Sequence, residues 1–407
     1  MAARVTSHQS QRFGSIDAVR GAAILFVFLS HFTAGYTWTA NSAAISSYLR
    51  TISMIASPTF MTVSGMVAGF LFVTRPERFA ALRNKLIDRG VFLLVIGHLV
   101  LVLTQGSRLS NLGHAYKTSY ITDAIAIAII IGPTLVGSLS VITRIGLAAT
   151  VFIVDWMLIK SWHPTGSAEL LKIYVVGMTG ASQLNAFPAF PVLPWLAVYL
   201  FGTTIGEQVG EMYERGQAKA SHYLVGLIGA GSILVGAGVH AAGVLLRHNP
   251  TSSNQWDMSS LTLLSIYGKF PPGIVYLTFF GGAGLLMLAG IFELDRRVKR
   301  SFVLDELRKL GRSSLFIFIV QYSFYRSLLP RLGLPYTPFW PFIFLLSIAA
   351  MAQLAVVWDR NSANRFLTVG LTPLLPRGNW GLLRHRKDSR PGWHRAGPHV
   401  RARASET

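Results

Sequence analysis

Ten apolar runs set the terms on which this chain can fold: 21 to 38, 51 to 73, 90 to 104, 120 to 139, 145 to 159, 190 to 207, 222 to 246, 272 to 292, 313 to 329 and 338 to 358. A hydrocarbon core about 30 Å thick is crossed by roughly 20 apolar residues in helical form. Runs of that order recur along nearly the whole chain. The fold class they predict is all-α, a polytopic integral-membrane helical bundle of about ten transmembrane helices. Composition agrees, because the chain is 51% hydrophobic and only 13% charged, against about a quarter charged in soluble domains. It has no cysteine, which removes disulfides, thiolate metal sites and any cysteine nucleophile.

A formal charge of +20 raises the question of nucleic acid, and the answer lies in where the charge sits. With the N-terminus in the cytoplasm, the cytoplasmic segments are 1 to 20, 74 to 90, 140 to 144, 208 to 221, 293 to 312 and 359 onward. They hold 28 of the 37 lysines and arginines. That bias predicts both termini inside. The charge is read as a topology signal whose partners are membrane lipids, with no role for nucleic acid. Ala40 to Ala44 supplies small residues after an apolar stretch, as a cleaved leader would. Asp17, Arg20 and His31 make a poor leader core, so the first span is read as an uncleaved helix. The organisation expected is a cytoplasmic segment at 1 to 19, a membrane domain at 20 to 358 and a basic, largely disordered tail at 359 to 407, all in the inner (plasma) membrane.

The first span is the one that carries ionisable groups where lipid-compatible residues are expected. It runs from Ser15 to Tyr36 and contains Asp17, Arg20 and His31. Eleven helical positions separate Arg20 from His31, which is about three turns, so both project from one face roughly 16 Å apart along the axis. Asp17 falls on the same side. Each such group costs about 2.5–3.5 kcal/mol at the centre of a membrane even on the mildest scale. The stripe is therefore expected to face a protein interior or a wet cavity.

Asp17-Ala18-Val19-Arg20-Gly21 followed by Ser30-His31-Phe32, with ten residues between Arg20 and His31, resembles the Arg-(ten residues)-His signature of the membrane acyltransferase 3 superfamily. It is also similar to the Asp-x-x-Arg-Gly opening of periplasmic-glucan succinyltransferases and of bacterial heparan-alpha-glucosaminide N-acetyltransferase-like proteins. The resemblance implies an acyl-CoA-dependent acyltransferase with no tightly bound cofactor and no metal, using acetyl-CoA or succinyl-CoA as co-substrate. In that reading His31 is the general base, for which imidazole titrating near neutrality is suited, or a transient acyl carrier. Arg20 holds the donor or the thioester oxygen as charge develops, and Asp17 orients Arg20. From residue types alone, a buried Asp-Arg pair with a satisfied histidine explains the stripe equally well.

Further positions extend the resemblance. Ser64-Gly65 to Gly69 in the second run reads as a small-residue packing seam, or as the wall of the same cavity with the Ser64 hydroxyl orienting a bound acyl group. The loop expected from Thr74 to Gly90 is basic; it is either a topology anchor or a site for the phosphates of coenzyme A, with Arg83, Lys85 and Arg89 as the candidates. Pro191-Val192-Leu193-Pro194-Trp195 followed by Gly202 and Gly206 reads as a rigid helix start with Trp195 at headgroup level, and it is similar to a motif of the N-acetyltransferase relatives. Trp195 is accordingly a candidate substrate-binding residue. Lys269-Phe270-Pro271-Pro272 and Gly311-Arg312-Ser313-Ser314 also match these families, whereas Gln321 and Tyr322 stand where many members have a histidine.

Other ionisable residues read more plainly. His98 is a lone histidine in an apolar run, either a satisfied packing residue or a ligand. Asp123 caps a helix after Thr122 or faces the cavity, and Asp155 is expected at the interface. His114 and His163 belong to outer loops, and 169 to 188 is read as a re-entrant or surface helix. No Gly-Lys-Ser/Thr phosphate loop, His-Glu-x-x-His or Gly-x-Ser-x-Gly is present. The function expected is transfer of an acyl group, acetyl or succinyl, from cytoplasmic acyl-CoA to a hydroxyl or amine of a cell-envelope glycan or lipid-linked saccharide. A transporter or flippase for an anionic or saccharide substrate is the alternative. It is weakened by the scarcity of carboxylates in the spans and by the absence of a second Asp-x-x-Arg-Gly stretch.

Overall fold

The computed structural model describes residues 14–36, 43–104, 117, 119–178, 190–247, 262–298, 301–328, 332 and 339–361. His114 and the tail beyond 361 lie outside the described residues. The helices are α1 (Gly14–Tyr36), α2 (Ala43–Ser53), α3 (Ala56–Thr74), α4 (Pro76–Phe92), α5 (His98–Thr104), α6 (Ile121–Ser138), α7 (Val141–Ser161), α8 (Ser167–Val175), α9 (Val192–Glu214), α10 (Ala218–Arg247), α11 (Ile274–Arg297), α12 (Phe302–Arg312), α13 (Ser314–Ser323) and α14 (Trp340–Arg360). No named strand occurs among the described residues, and eight helices are long and apolar enough to cross a membrane. The expected spans at 190 to 207 and 313 to 329 fall on α9 and on α13, a shorter apolar helix.

The segment from Thr74 to Gly90, expected as a loop, is helical. Pro76 sits at the first helical position of α4, where its missing N–H costs nothing. The residues that follow are mostly good helix formers, so α4 runs on through a π turn at Leu93–Gly97 into α5. The basic residues therefore ride on the third membrane helix.

Glycine decides how the helices approach. A Cβ on Gly65 would lie 2.1 Å from Tyr199 O and one on Gly69 2.0 Å from Thr203 O. In return, one on Gly202 would lie 2.4 Å from Thr62 O and one on Gly206 2.0 Å from Met66 O. The two helices α3 and α9 thus meet backbone to backbone over two turns. Without a hydrophobic drive between helices in lipid, such close packing is what holds them together. The same device joins α1 to α12, where Cβ atoms on Gly21 and Gly311 would come within 1.9 Å of Leu307 O and 1.7 Å of Asp17 O.

The α7–α9 seam contains a buried charge pair. Arg144, in the first turn of α7, is fully buried. Its Nη1 donates to Thr203 Oγ1 at 2.8 Å and its Nη2 to Glu207. Asp155, farther along the same helix, is 0% exposed. The reason is helical register: Arg144, Ala148, Asp155 and Ile159 share the buried stripe of α7. Trp195 is wholly buried, with ring centroids 5.8 Å from Phe190 and 6.4 Å from Tyr276. Prolines 191 and 194 do start α9, but this helix is central, flanked by α3, α6 and α7.

Of the expected helix at 169 to 188, α8 occupies Ser167–Val175, and Gly177 just beyond it has φ +93. Lys172 on α8 donates from Nζ to Ile159 O at 3.1 Å and to Trp162 O, closing the carbonyl end of α7. Burial lowers the Lys172 ammonium below its ordinary range. Residues 179–189 lie outside the described residues.

Candidate active site

The stripe on α1 faces inward, as its cost in lipid requires. Asp17 is buried at 7% exposure, and Arg20, one turn on, donates from Nη2 to Ser314 Oγ at 2.8 Å. The Gly311…Ser314 spacing acquires a physical meaning here. Gly311 lets α12 touch α1 at Asp17, and Ser314, at the start of α13, then reaches Arg20.

Above this contact lies a cavity of about 140 Å³. Arg20 of α1, Ser64 of α3, Arg89 of α4, Thr122 of α6 and Ser314 of α13 supply its polar wall. The rest is apolar, including Phe60, Ile125 and Phe318. Residues from five helices, drawn from position 20 to position 318, thus converge on one small space. The glycines of the Ser64–Gly69 stretch face α9, and Ser64, one residue off that line, lines the cavity.

Arg89 is the second cation of the site. Its Nε is enclosed with no hydrogen-bond partner among the described residues, and the charge of Arg20 acts on it. Two guanidiniums turned to one apolar cavity repel each other, and an anionic or strongly polarised oxygen ligand between them relieves that cost. Arg83 and Lys85, one to two turns nearer the start of α4, do not line the cavity; Arg83 is half-buried and Lys85 exposed. Trp195 also does not line it.

His31 is three turns from Arg20, and its ring centroid is 4.5 Å from Tyr322 and 6.5 Å from Phe318. Phe318 is shared, since it forms cavity wall as well. The histidine therefore stands beside the cavity, across an aromatic side chain, and not on its surface. Of Gln321 and Tyr322, the departure from the family pattern, Tyr322 is the ring against which His31 packs.

His98 and Asp123, separate polar positions in the sequence, meet in the fold. His98 Nδ1 and Asp123 Oδ2 are 2.9 Å apart, and both side chains are buried. Asp123 Oδ2 also accepts from Tyr120 N at 2.9 Å, so the residue both caps α6 and binds the histidine. Each half was visible as a polar residue in an apolar run, but nothing in the chain links positions 98 and 123. His163 is exposed, as expected for an outer loop.

Chemically, the site offers two cations and two serine hydroxyls around a short apolar slot, with a histidine beyond it. That set can hold an oxygen on which negative charge develops and can accept a proton nearby. Among the described residues no group of three or more His, Cys, Asp or Glu is placed to hold a metal. No individual curated protein matches the chain. The sequence profile described as "Heparan-alpha-glucosaminide N-acetyltransferase, catalytic" matches residues 12–250, more than half of the length and all of α1 to α10 and the arginines and hydroxyls they bring to the cavity. On that extent of match the chain belongs to this acetyltransferase-like membrane family.

Proposed function

We propose that this membrane protein transfers an acyl group, acetyl or succinyl, from acyl-CoA on the cytoplasmic side to a hydroxyl or amine of a cell-envelope carbohydrate. The observation that carries this reading is the pair Arg20 and Arg89 facing one apolar cavity beside Ser64 and Ser314. The cavity has room for the acyl and thioester end of the donor, while Arg83 and Lys85, on the same helix as Arg89, offer basic groups for its phosphates.

In the reaction the acceptor oxygen attacks the thioester carbonyl as its proton passes to His31. The new C–O bond forms, the C–S bond breaks, and sulfur leaves as a thiolate that takes a proton from cytoplasmic water. Arg20, steadied by Ser314 and with Asp17 one turn away, stabilises the carbonyl oxygen as its charge grows.

The test follows free CoA release by purified, detergent-solubilised protein. Acetyl-CoA and succinyl-CoA are offered with glucosamine, methyl glucoside and a de-acylated envelope glycan. Release that needs an acceptor, is lost in His31→Ala and is kept in His163→Ala supports the reading. No release and no CoA binding by folded protein, with saccharide uptake into liposomes lacking any acyl donor, overturns it in favour of transport.

A further inference from the structure

Four rings stand in succession on the side of the cavity away from Arg20. His31 lies 4.5 Å from Tyr322, Tyr322 6.5 Å from Tyr120, and Tyr120 5.3 Å from His98, all between ring centroids. The row ends on the carboxylate of Asp123, to which His98 Nδ1 donates at 2.9 Å. That bond fixes the His98 proton on Nδ1 and leaves Nε2 as the basic nitrogen. The residues between Tyr120 and Asp123, namely Ile121 and Thr122, are cavity wall. The first turn of α6 therefore presents the dyad on one side and the substrate space on the other.

A helix cap does not require this arrangement. Asp123 alone bonds Tyr120 N, and an apolar side chain at position 98 would fill the same volume without burying a titratable ring in the membrane. The second carboxylate oxygen, Asp123 Oδ1, is buried with no partner among the described residues, so the dyad has acceptor capacity to spare for a positively charged neighbour. His31 is placed differently. It shares α1 with Arg20 and stands beside a cavity holding Arg89 as well, so an imidazolium there adds a third cation. An imidazolium at His98 forms a neutral pair with Asp123.

We propose that His98 and Asp123 form a proton-relay dyad that takes up, through Tyr322 and Tyr120, the proton His31 removes from the acceptor. This rests on the acyl-transfer reading above. Protonated His31 gives its proton to the Tyr322 hydroxyl as Tyr322 gives its own to Tyr120 and Tyr120 gives its own to His98 Nε2. Neither tyrosine changes its net protonation. His98 then loses the proton to water, balancing the proton that the thiolate takes from water. His98 is a positioning and relay residue and does not touch the substrate.

The test uses the full chain in nanodiscs, with acetyl-CoA and whichever acceptor of the panel above the wild type acylates. His98→Gln keeps an N–H donor for Asp123 but cannot carry a proton. Turnover is expected to fall about 100-fold or more, with CoA affinity and thermal midpoint unchanged. Tyr322→Phe, which keeps the ring and removes the hydroxyl, is expected to lose about tenfold. In His98→Ala, added imidazole is expected to restore turnover without raising the thermal midpoint, which a packing role would not produce. Turnover within threefold of wild type in His98→Gln or Tyr322→Phe overturns the relay while leaving the enzyme reading intact. If His98→Gln does not fold, His98→Ala decides, and imidazole that restores turnover only in step with stability overturns the relay. No turnover by wild type with any acceptor removes the acyl-transfer reading and the relay together.

Discussion

Replacing Arg89 with glutamine separates a binding cation from a structural one, because the two roles predict opposite signs. In the empty protein Arg89 faces Arg20 across a cavity of about 140 Å³. Two like unit charges lining one small cavity at an effective dielectric of about 20 repel on the order of 2 kcal/mol. Arg89→Gln relieves that repulsion and leaves no broken partner at Nε, which has none among the described residues. The unliganded variant is therefore expected to be as stable as wild type or more so, by up to about 2 kcal/mol. The donor loses one charge-assisted hydrogen-bonding group, worth about 1.5–3 kcal/mol, so its Kd should rise roughly 10- to 150-fold. Equilibrium titration with CoA and thermal unfolding, run on one preparation in detergent, read both quantities. A variant that is less stable when empty yet binds CoA as wild type does would refute the reasoning and make Arg89 a structural residue.

Three other perturbations follow from contacts already described. Ser314→Ala removes the 2.8 Å bond to Arg20 and should lower turnover about tenfold with the fold intact; unchanged turnover would show that Arg20 does not depend on it. Gly69→Ala drives a methyl to within 2.0 Å of Thr203 O, so α3 and α9 must part, and a destabilisation of at least the roughly 1–3 kcal/mol of overpacking is expected in the thermal midpoint. Lys269, in the turn before α11, has its ammonium pulled down to about 8 by burial and then by the Arg50 charge. Because the unfolded chain holds that proton more tightly, stability should rise as pH increases from about 8 towards the ordinary lysine value near 10.4. Lys269→Met should be more stable than wild type at pH 7 and should lose most of that rise, and equal pH profiles in the two proteins would contradict the assignment.

The polar stripe of α1 was legible because helical spacing puts Asp17, Arg20 and His31 on one side and lipid forbids that side to face outward. The small-residue pattern at Gly65 and Gly69 was legible as a seam for the same kind of reason, since only a close backbone approach rewards glycine there. The basic segment 74 to 90 is helical and not the water-exposed connector its charge predicts, because helix formers continue from Pro76 onward. That Arg144 and Asp155 are buried was not legible, because position near the end of a run says nothing about which face of α7 is covered.

By itself, then, the chain determines that it is a bundle of membrane helices, which residues in each run are too costly for lipid, and where glycines permit contact. These are local properties, set by the hydrocarbon solvent and by the 3.6-residue period. Tertiary structure alone decides that Arg89 turns to the cavity of Arg20, that Ser314 closes on it from nearly 300 residues away, and that His98 meets Asp123 in a row of rings leading to His31. The period names the face that each helix must hide, but which helix covers it depends on how all the faces pack together.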